Sequence, residues 1–267
     1  MAQTLATWNG SLVLTGASGG LGRALAAECA APGVTMLLLG RDRARLAVVA
    51  AEARDRGADV ETAAIDLRDA PAMHDALLAF DRMAPVAAVI ANAGQSGGAQ
   101  AGDKLPEPPG TMARLAAVNL VGAANTVEPL LPSMMARDAG RIALIGSLAG
   151  VLPLAAMPAY SATKAGLAAW AMALRAALSG TGVTVTMVEP GFVTTPMSAR
   201  HHGTRPMEIE APAAARHILR AVQRGRPALR FPRWLATLAS AGAALPWPLC
   251  DHAARVMHAT IEPAVDS

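Results

Sequence analysis

The sequence predicts an α/β fold: a doubly wound parallel sheet of about seven strands with helices on both faces, gathered in a single domain. Three observations lead there. Short apolar runs recur along the 267 residues, bounded by glycine and other turn residues. Stretches rich in Ala, Leu and Arg, each of helical length, alternate with those runs. A content of 53% hydrophobic against 16% charged residues is enough to bury a sheet from both sides.

The first run, residues 12–15, is a buried strand that leads directly into glycines and then into a helical stretch at 24–31. The second strand is expected at 34–39, with a helix at 41–56, and the third at 60–65. Val, Ile and Ala at 86–91 make a fourth strand that ends in Asn92-Ala93-Gly94. Residues 95–109, rich in Gly and Pro, read as a surface loop before a long helix at 112–137. A fifth strand at 141–146, a helix at 158–179 and a sixth strand at 183–188 follow. Residues 190–209 are long enough for a lid over a site. The helix at 212–224 then leads to a last strand at 227–231 and a C-terminal helical extension over 232–267.

Composition narrows the partners. A net charge of +3 indicates neither a nucleic-acid stripe nor a polybasic patch, although the sequence pI is about 9.4. Cys29 and Cys250 are far apart and lack metal-ligand spacing, which fits a reducing compartment. Residues 1–9 lack a basic start and an apolar run, so a cytoplasmic location is expected. The apolar stretch 235–249 is broken by Gly242, Pro246 and Pro248 and is too short to span a bilayer. His201 and His202 have no nearby Cys or carboxylate partner, so no metal site is expected.

Chemistry concentrates at two places. After the first strand, Gly16, Gly20 and Gly22 open a helix, with Ser18 and Leu21 in the same turn. Gly16 allows the sharp exit, Gly20 lets backbone approach a pyrophosphate, and Gly22 packs the helix onto the sheet with its amides facing the anion. At the end of the second strand, where an acid would favour a free ribose 2′-hydroxyl, stands Arg41, whose guanidinium suits a 2′-phosphate. That choice points to NADP(H) over NAD, with Asp42 directly behind it. At the second place, Tyr160 is the chain's only tyrosine, and Lys164 follows at helical spacing. Residues i and i+4 share a helix face, so the ammonium is expected to lower the phenol's pKa and make it a general acid/base. Ser147 ends the fifth strand, where ligands of open α/β sheets bind. It is not a nucleophile elbow, because Ala149 stands where that turn needs glycine.

The spacing T-G-x-x-x-G-x-G at 15–22, together with Ser147 and the Y-x-x-x-K of Tyr160 and Lys164, resembles the compact branch of the short-chain dehydrogenase/reductase superfamily. The motifs run in family order from 15 to 195, about two thirds of the chain. The resemblance implies a Rossmann-like domain that binds NADP(H) and interconverts a small-molecule carbonyl and a secondary alcohol. It places Ser147, Tyr160, Lys164 and Asn119 in catalysis, Asn119 holding the water of a proton relay. It assigns Asp66 and Leu67 to the adenine, and Asn92, Ala93 and Gly94 to the sheet end beside the cofactor. Pro190, Gly191, Val193 and Thr195 belong to the P-G-x-x-x-T loop that closes over the nicotinamide. Leu148, Val151, Leu152, Met157, Phe192 and Met197 line the site by family position, suiting an apolar or lipid-like ketone, or else are ordinary packing. A homodimer or homotetramer through the helices at 112–137 and 158–179 is implied as well. The alternative is a regulatory protein that binds NADP without turnover, and the retained Tyr-Lys pair argues against it. In the extension, Trp234, Leu235, Leu238, Leu245, Trp247 and Leu249, flanked by Arg230, Arg233 and Arg255, fit either an interfacial membrane helix or a core helix under the last strand.

Overall fold

The computed structural model describes residues 10–98 and 107–250, and the backbone of 260–261. The expectations placed on 1–9, on most of the 95–109 loop, and on Arg255 lie outside these residues. Strand β1 (Ser11–Thr15), fully buried, leads through the glycine turn into helix α1 (Gly20–Cys29). Then come β2 (Thr35–Gly40), α2 (Arg43–Arg54), β3 (Asp59–Ala64), α3 (Ala70–Met83) and β4 (Val86–Ala91). Helix α2 starts at Arg43 because the Asp42 carboxylate caps it, accepting from the Arg45 amide at 2.9 Å.

The stretch expected as one helix at 112–137 is broken into pieces. It consists of α4 (Thr111–Ala116), a π turn (Ala117–Val121), α5 (Gly122–Val127), a 3-10 turn (Glu128–Leu130) and α6 (Leu131–Ala136). Pro129 and Pro132 lack amide hydrogens and force the later break. Strand β5 (Gly140–Ile145), a short 3-10 turn (Leu148–Gly150), the 20-residue α7 (Pro158–Ala177) and β6 (Val183–Pro190) follow.

The segment expected as a lid is not a bare loop. It holds β7 (Val193–Thr194), α8 (Pro196–Ala199), β8 (His201–His202) and β9 (Ile209–Glu210), with β7 and β9 paired in parallel. Helix α9 (Ala211–Gln223), strand β10 (Ala228–Phe231), helix α10 (Arg233–Ala243), a helical stretch at 247–250 and strand β11 (Thr260–Ile261) follow among the described residues. The extension is thus only partly helical, since β11 runs antiparallel to β8.

Seven parallel strands stand in the order β10-β6-β5-β4-β1-β2-β3, with crossover helices on both faces. Each face carries its own apolar layer. Leu12, Leu14, Met36 and Leu38 pack towards α1, α2 and α9; Val13, Leu37, Leu39, Val89 and Leu144 pack towards α3, α5 and α7. Alternate residues of one strand therefore serve opposite layers, as the pleat dictates. The strand order reverses between β1 and β4, and Asn92 pins that crevice. Its Nδ2 donates to the Thr15 carbonyl at 3.0 Å and the Gly16 carbonyl at 3.3 Å, while its own amide donates to Thr15 Oγ1 at 3.2 Å.

Helix α10 departs from the core-helix expectation. It buries Ala236 and Ala239 and leaves Trp234 and Leu238 in solvent, so neither packs beneath β10. No helix among the described residues is long and apolar enough to cross a membrane.

Candidate active site

The carboxyl ends of β1, β4 and β5 and the start of α7 converge on one cleft, and the glycines show how close its backbone lies. Gly16 adopts φ +65°, and a Cβ there would stand 2.8 Å from Ala93 Cα. A Cβ on Gly22 would fall 2.0 Å from the Gly16 carbonyl oxygen, so no other residue fits that turn. The missing side chain of Gly20 also makes room for Thr195 and Pro196, at 2.8 and 2.9 Å from where a Cβ would be. No side chain caps α1, so its first amides stay available to an anion beside Thr195. The Thr195 hydroxyl is itself engaged, accepting from the Ser198 amide as the N-cap of α8.

At the other end of the cleft, the Gly40 backbone lies against Ser18 Oγ, with Arg41 next to it and exposed to solvent. Arg41 makes no salt bridge among the described residues, whereas the Asp42 carboxylate is occupied by the α2 cap and faces Arg45 at 3.9 Å. Asp66 pairs with Arg68 through both carboxylate oxygens, which holds its pKa at about 2, helped by the charge of Arg41. Leu67 is buried against Gly122, and its carbonyl accepts from Asn125 at 2.8 Å.

In the middle, Lys164 is only 4% exposed. Its ammonium donates to the Ile145 carbonyl at 2.8 Å and lies 5.7 Å from the centre of the Tyr160 ring. Desolvation lowers its pKa to about 8. Asn119, 1% exposed, sits on the π turn. It clamps Gln95, accepting from its amide at 2.7 Å and donating to its carbonyl at 2.9 Å, and reaches Thr163 Oγ1 at 3.1 Å. A Cβ on Gly94 would stand 3.3 Å from both Asn119 Oδ1 and Lys164 Nζ, so this glycine keeps the floor of the cleft open. Ser147 accepts from the Ala149 amide at 3.1 Å, and its side chain reaches the Tyr160 phenol.

The expected fall in the Tyr160 pKa is not found. Burial raises it, and Ser147 only partly offsets that by favouring the ionised phenol. Tyr160 therefore holds its proton at neutral pH and can donate it.

Of the residues expected at the substrate, Leu148, Leu152 and Met157 are buried, Val151 and Phe192 are half-buried, and Met197 is largely exposed on α8. Gly191 packs between Leu148 and Leu235 of α10, and Leu152 lies against Gly242, so α10 forms a wall of this apolar corner. Phe192 meets the His201 ring at 4.8 Å. No group of three or more possible metal ligands occurs among the described residues.

Three contacts went unread in the sequence. Glu107 accepts from the Ala159 amide at 2.8 Å, at the N-terminus of α7, while its other oxygen is buried without a partner. Arg200 of the lid donates to Ser96 at 3.2 Å. Thr163 Oγ1 links Asn119 to the Tyr160 carbonyl. All three join segments that sequence patterns treat separately.

Comparison with known proteins decides the lineage. A family model for short chain dehydrogenases matches residues 11–205. The chain belongs to the short-chain dehydrogenase family. An uncharacterized oxidoreductase of Myxococcus xanthus is 37% identical over 244 residues, covering 91% of this chain and 95% of that protein. The ketoacyl reductase HetN of a Nostoc species is 37% identical over 186 residues, 68% of this chain and 63% of that one. A short-chain dehydrogenase from Sphingobium yanoikuyae, solved in complex with NADPH, superposes with a TM-score of 0.74 at 27% identity, covering 89% and 96% of the two chains. This short-chain dehydrogenase is thus an oxidoreductase acting between CH–OH and C=O with a nicotinamide cofactor.

Proposed function

We propose that the protein reduces a ketone on an apolar, acyl-like substrate with NADPH, using Tyr160 as proton donor. The observation that carries this reading is the convergence of Ser147, Tyr160 and Lys164 at the end of β5, with the Tyr160 pKa raised by burial. A bound nicotinamide would supply hydride to the carbonyl carbon. Tyr160 passes its phenolic proton to the carbonyl oxygen as charge develops there, and Ser147 holds that oxygen by a hydrogen bond. Lys164 stabilises the resulting tyrosinate across the cleft and returns a proton from the Asn119 side. The same groups serve oxidation in reverse.

The cofactor fits the residues present. Gly16, Gly22 and the uncapped start of α1 suit a pyrophosphate. Ser18 and Arg41 suit a ribose 2′-phosphate, because the neighbouring Asp42 is committed to its helix cap. Asp66, Leu67, Asn92, Ala93 and Gly94 would border the adenosine and ribose, and Pro190, Gly191, Val193 and Thr195 the nicotinamide. The apolar corner of Leu148, Leu152, Met157 and Leu235 favours a hydrocarbon substituent over a polar one. The chain acts as a single domain, and exposed Met112, Val121 and Met172 on the α4-to-α6 segment and α7 suit burial against a second copy.

A ketone series of increasing chain length, with NADPH consumption as readout, tests the reading. Catalytic efficiency should rise with chain length. Efficiency that is flat, or that falls once the chain lengthens, would contradict the apolar assignment.

A further inference from the structure

The helix that carries Tyr160 and Lys164 has no cap of its own. Met157 precedes α7 without any side-chain hydrogen bond to it, and Pro158 has no amide hydrogen. The Ala159 amide, one residue before Tyr160, is taken instead by Glu107, which lies 52 positions earlier and accepts from it at 2.8 Å. The other Glu107 oxygen is buried and has no hydrogen-bond partner. A Cβ on Gly97 would stand 2.5 Å from that oxygen, 3.0 Å from Leu115 and 3.1 Å from Thr111. The absent side chain thus leaves the carboxylate its place between α4, α7 and the segment after β4. On the far side of Tyr160, its carbonyl accepts from Thr163 Oγ1 at 2.8 Å, and Asn119 donates to that hydroxyl. The backbone is held both just before and just after the phenol.

A half-satisfied carboxylate is a costly way to cap a helix, since a serine or asparagine would do so without burying charge. What distinguishes it is that an anion at the start of α7 is favoured by the helix dipole. Burial raises the Glu107 pKa, partly offset by the Ala159 amide and the charge of Arg114. Arg114, on α4, donates to Gln95 at 3.0 Å. On α7 the titratable neighbours are Tyr160 and Lys164, the latter turned to the Ile145 carbonyl, and residues 95–98 contain none.

We propose that Glu107 is a positioning residue for the proton transfer: its carboxylate anchors the first turn of α7 through Ala159 and so fixes the Tyr160 phenol beside Ser147. The inference rests on the reductase reading of Tyr160 and adds to it a residue that acts through the backbone.

Three readouts on the full chain test it. Glu107→Ala should lower kcat by about tenfold with KM for NADPH within about twofold of wild type, because Gly16, Gly22 and Arg41 are untouched. Glu107→Gln keeps an acceptor for the Ala159 amide and should recover part of that loss, standing about threefold below wild type near pH 8. That gap should close as pH falls through the Glu107 titration, above the ordinary carboxylate range, because protonated Glu107 and glutamine are both neutral acceptors. Without ligands, amide hydrogen exchange over residues 158–163 should be about tenfold faster in Glu107→Ala than in wild type, with thermal unfolding still cooperative. Unchanged exchange, kcat of Glu107→Ala within about twofold of wild type, or a gap to Glu107→Gln that stays constant with pH would each overturn the inference. A wild-type chain that consumes no NADPH with any ketone would instead fail the reductase reading, and the exchange result would then decide alone whether Glu107 anchors α7.

Discussion

The two ends of the cleft are made of different material. At the end holding Tyr160, Lys164 on Ile145 and Asn119 on Gln95 are buried, and Tyr160 and Ser147 are half-buried beside them. At the end holding Arg41, the charged groups lie nearer solvent: Arg41 is exposed, and half-buried Asp66 is paired with exposed Arg68. Desolvation sets protonation at the buried end, so its properties are insensitive to salt and intolerant of substitution. Charge in water sets selectivity at the exposed end, so its effects are smaller and are screened.

The largest effects should therefore fall on the buried end. Lys164→Met should reduce turnover by about a thousandfold, yet stabilise the folded protein at pH 7. The sign follows from its lowered pKa. Between about 8 and the usual 10.5 the unfolded chain binds a proton that the folded chain does not, so wild-type stability rises with pH across that window. Below about pH 8 both states are protonated and the full penalty, on the order of 3 kcal/mol, remains. Thermal melts without added cofactor should show the variant's advantage at pH 7 shrinking towards pH 10. An advantage that stays constant over that range would show that burial does not depress the lysine.

Next in size is the exposed end. Arg41→Asp should shift the ratio of kcat/KM for NADPH over NADH by roughly a hundredfold towards NADH, removing a phosphate partner and adding a repelling charge. Added salt should weaken the wild-type preference for NADPH and leave the variant's nearly unchanged. An unaltered ratio would move phosphate recognition to another residue. Asp66→Asn should be milder still, changing cofactor KM less than about tenfold with kcat preserved, because its carboxylate is already shared with exposed Arg68. A large fall in kcat there would erase the contrast between the two ends.

The same division explains what could be read from the sequence. Glycine positions, the alternation of strands and helices along the chain and the Tyr160–Lys164 spacing are written in local patterns, and the structure carries them in a seven-stranded parallel sheet. The π turn at Asn119 was not legible, because apolar spacing across 112–137 is compatible with an unbroken helix. The strands of the lid are two residues long, too short for any periodicity. Glu107 meets α7 across 52 positions, and nothing in its own neighbourhood marks that contact. The direction of the Tyr160 shift was misread because spacing reveals a neighbouring ammonium but not how dry both groups become.

The central claim is that Tyr160 delivers the proton while contributing little to cofactor binding. Tyr160→Phe tests it in one comparison: NADPH affinity by fluorescence titration beside NADPH oxidation with the best ketone of the chain-length series. The variant should bind NADPH as wild type does and lose turnover by about a thousandfold or more. Turnover within about tenfold of wild type would contradict the account.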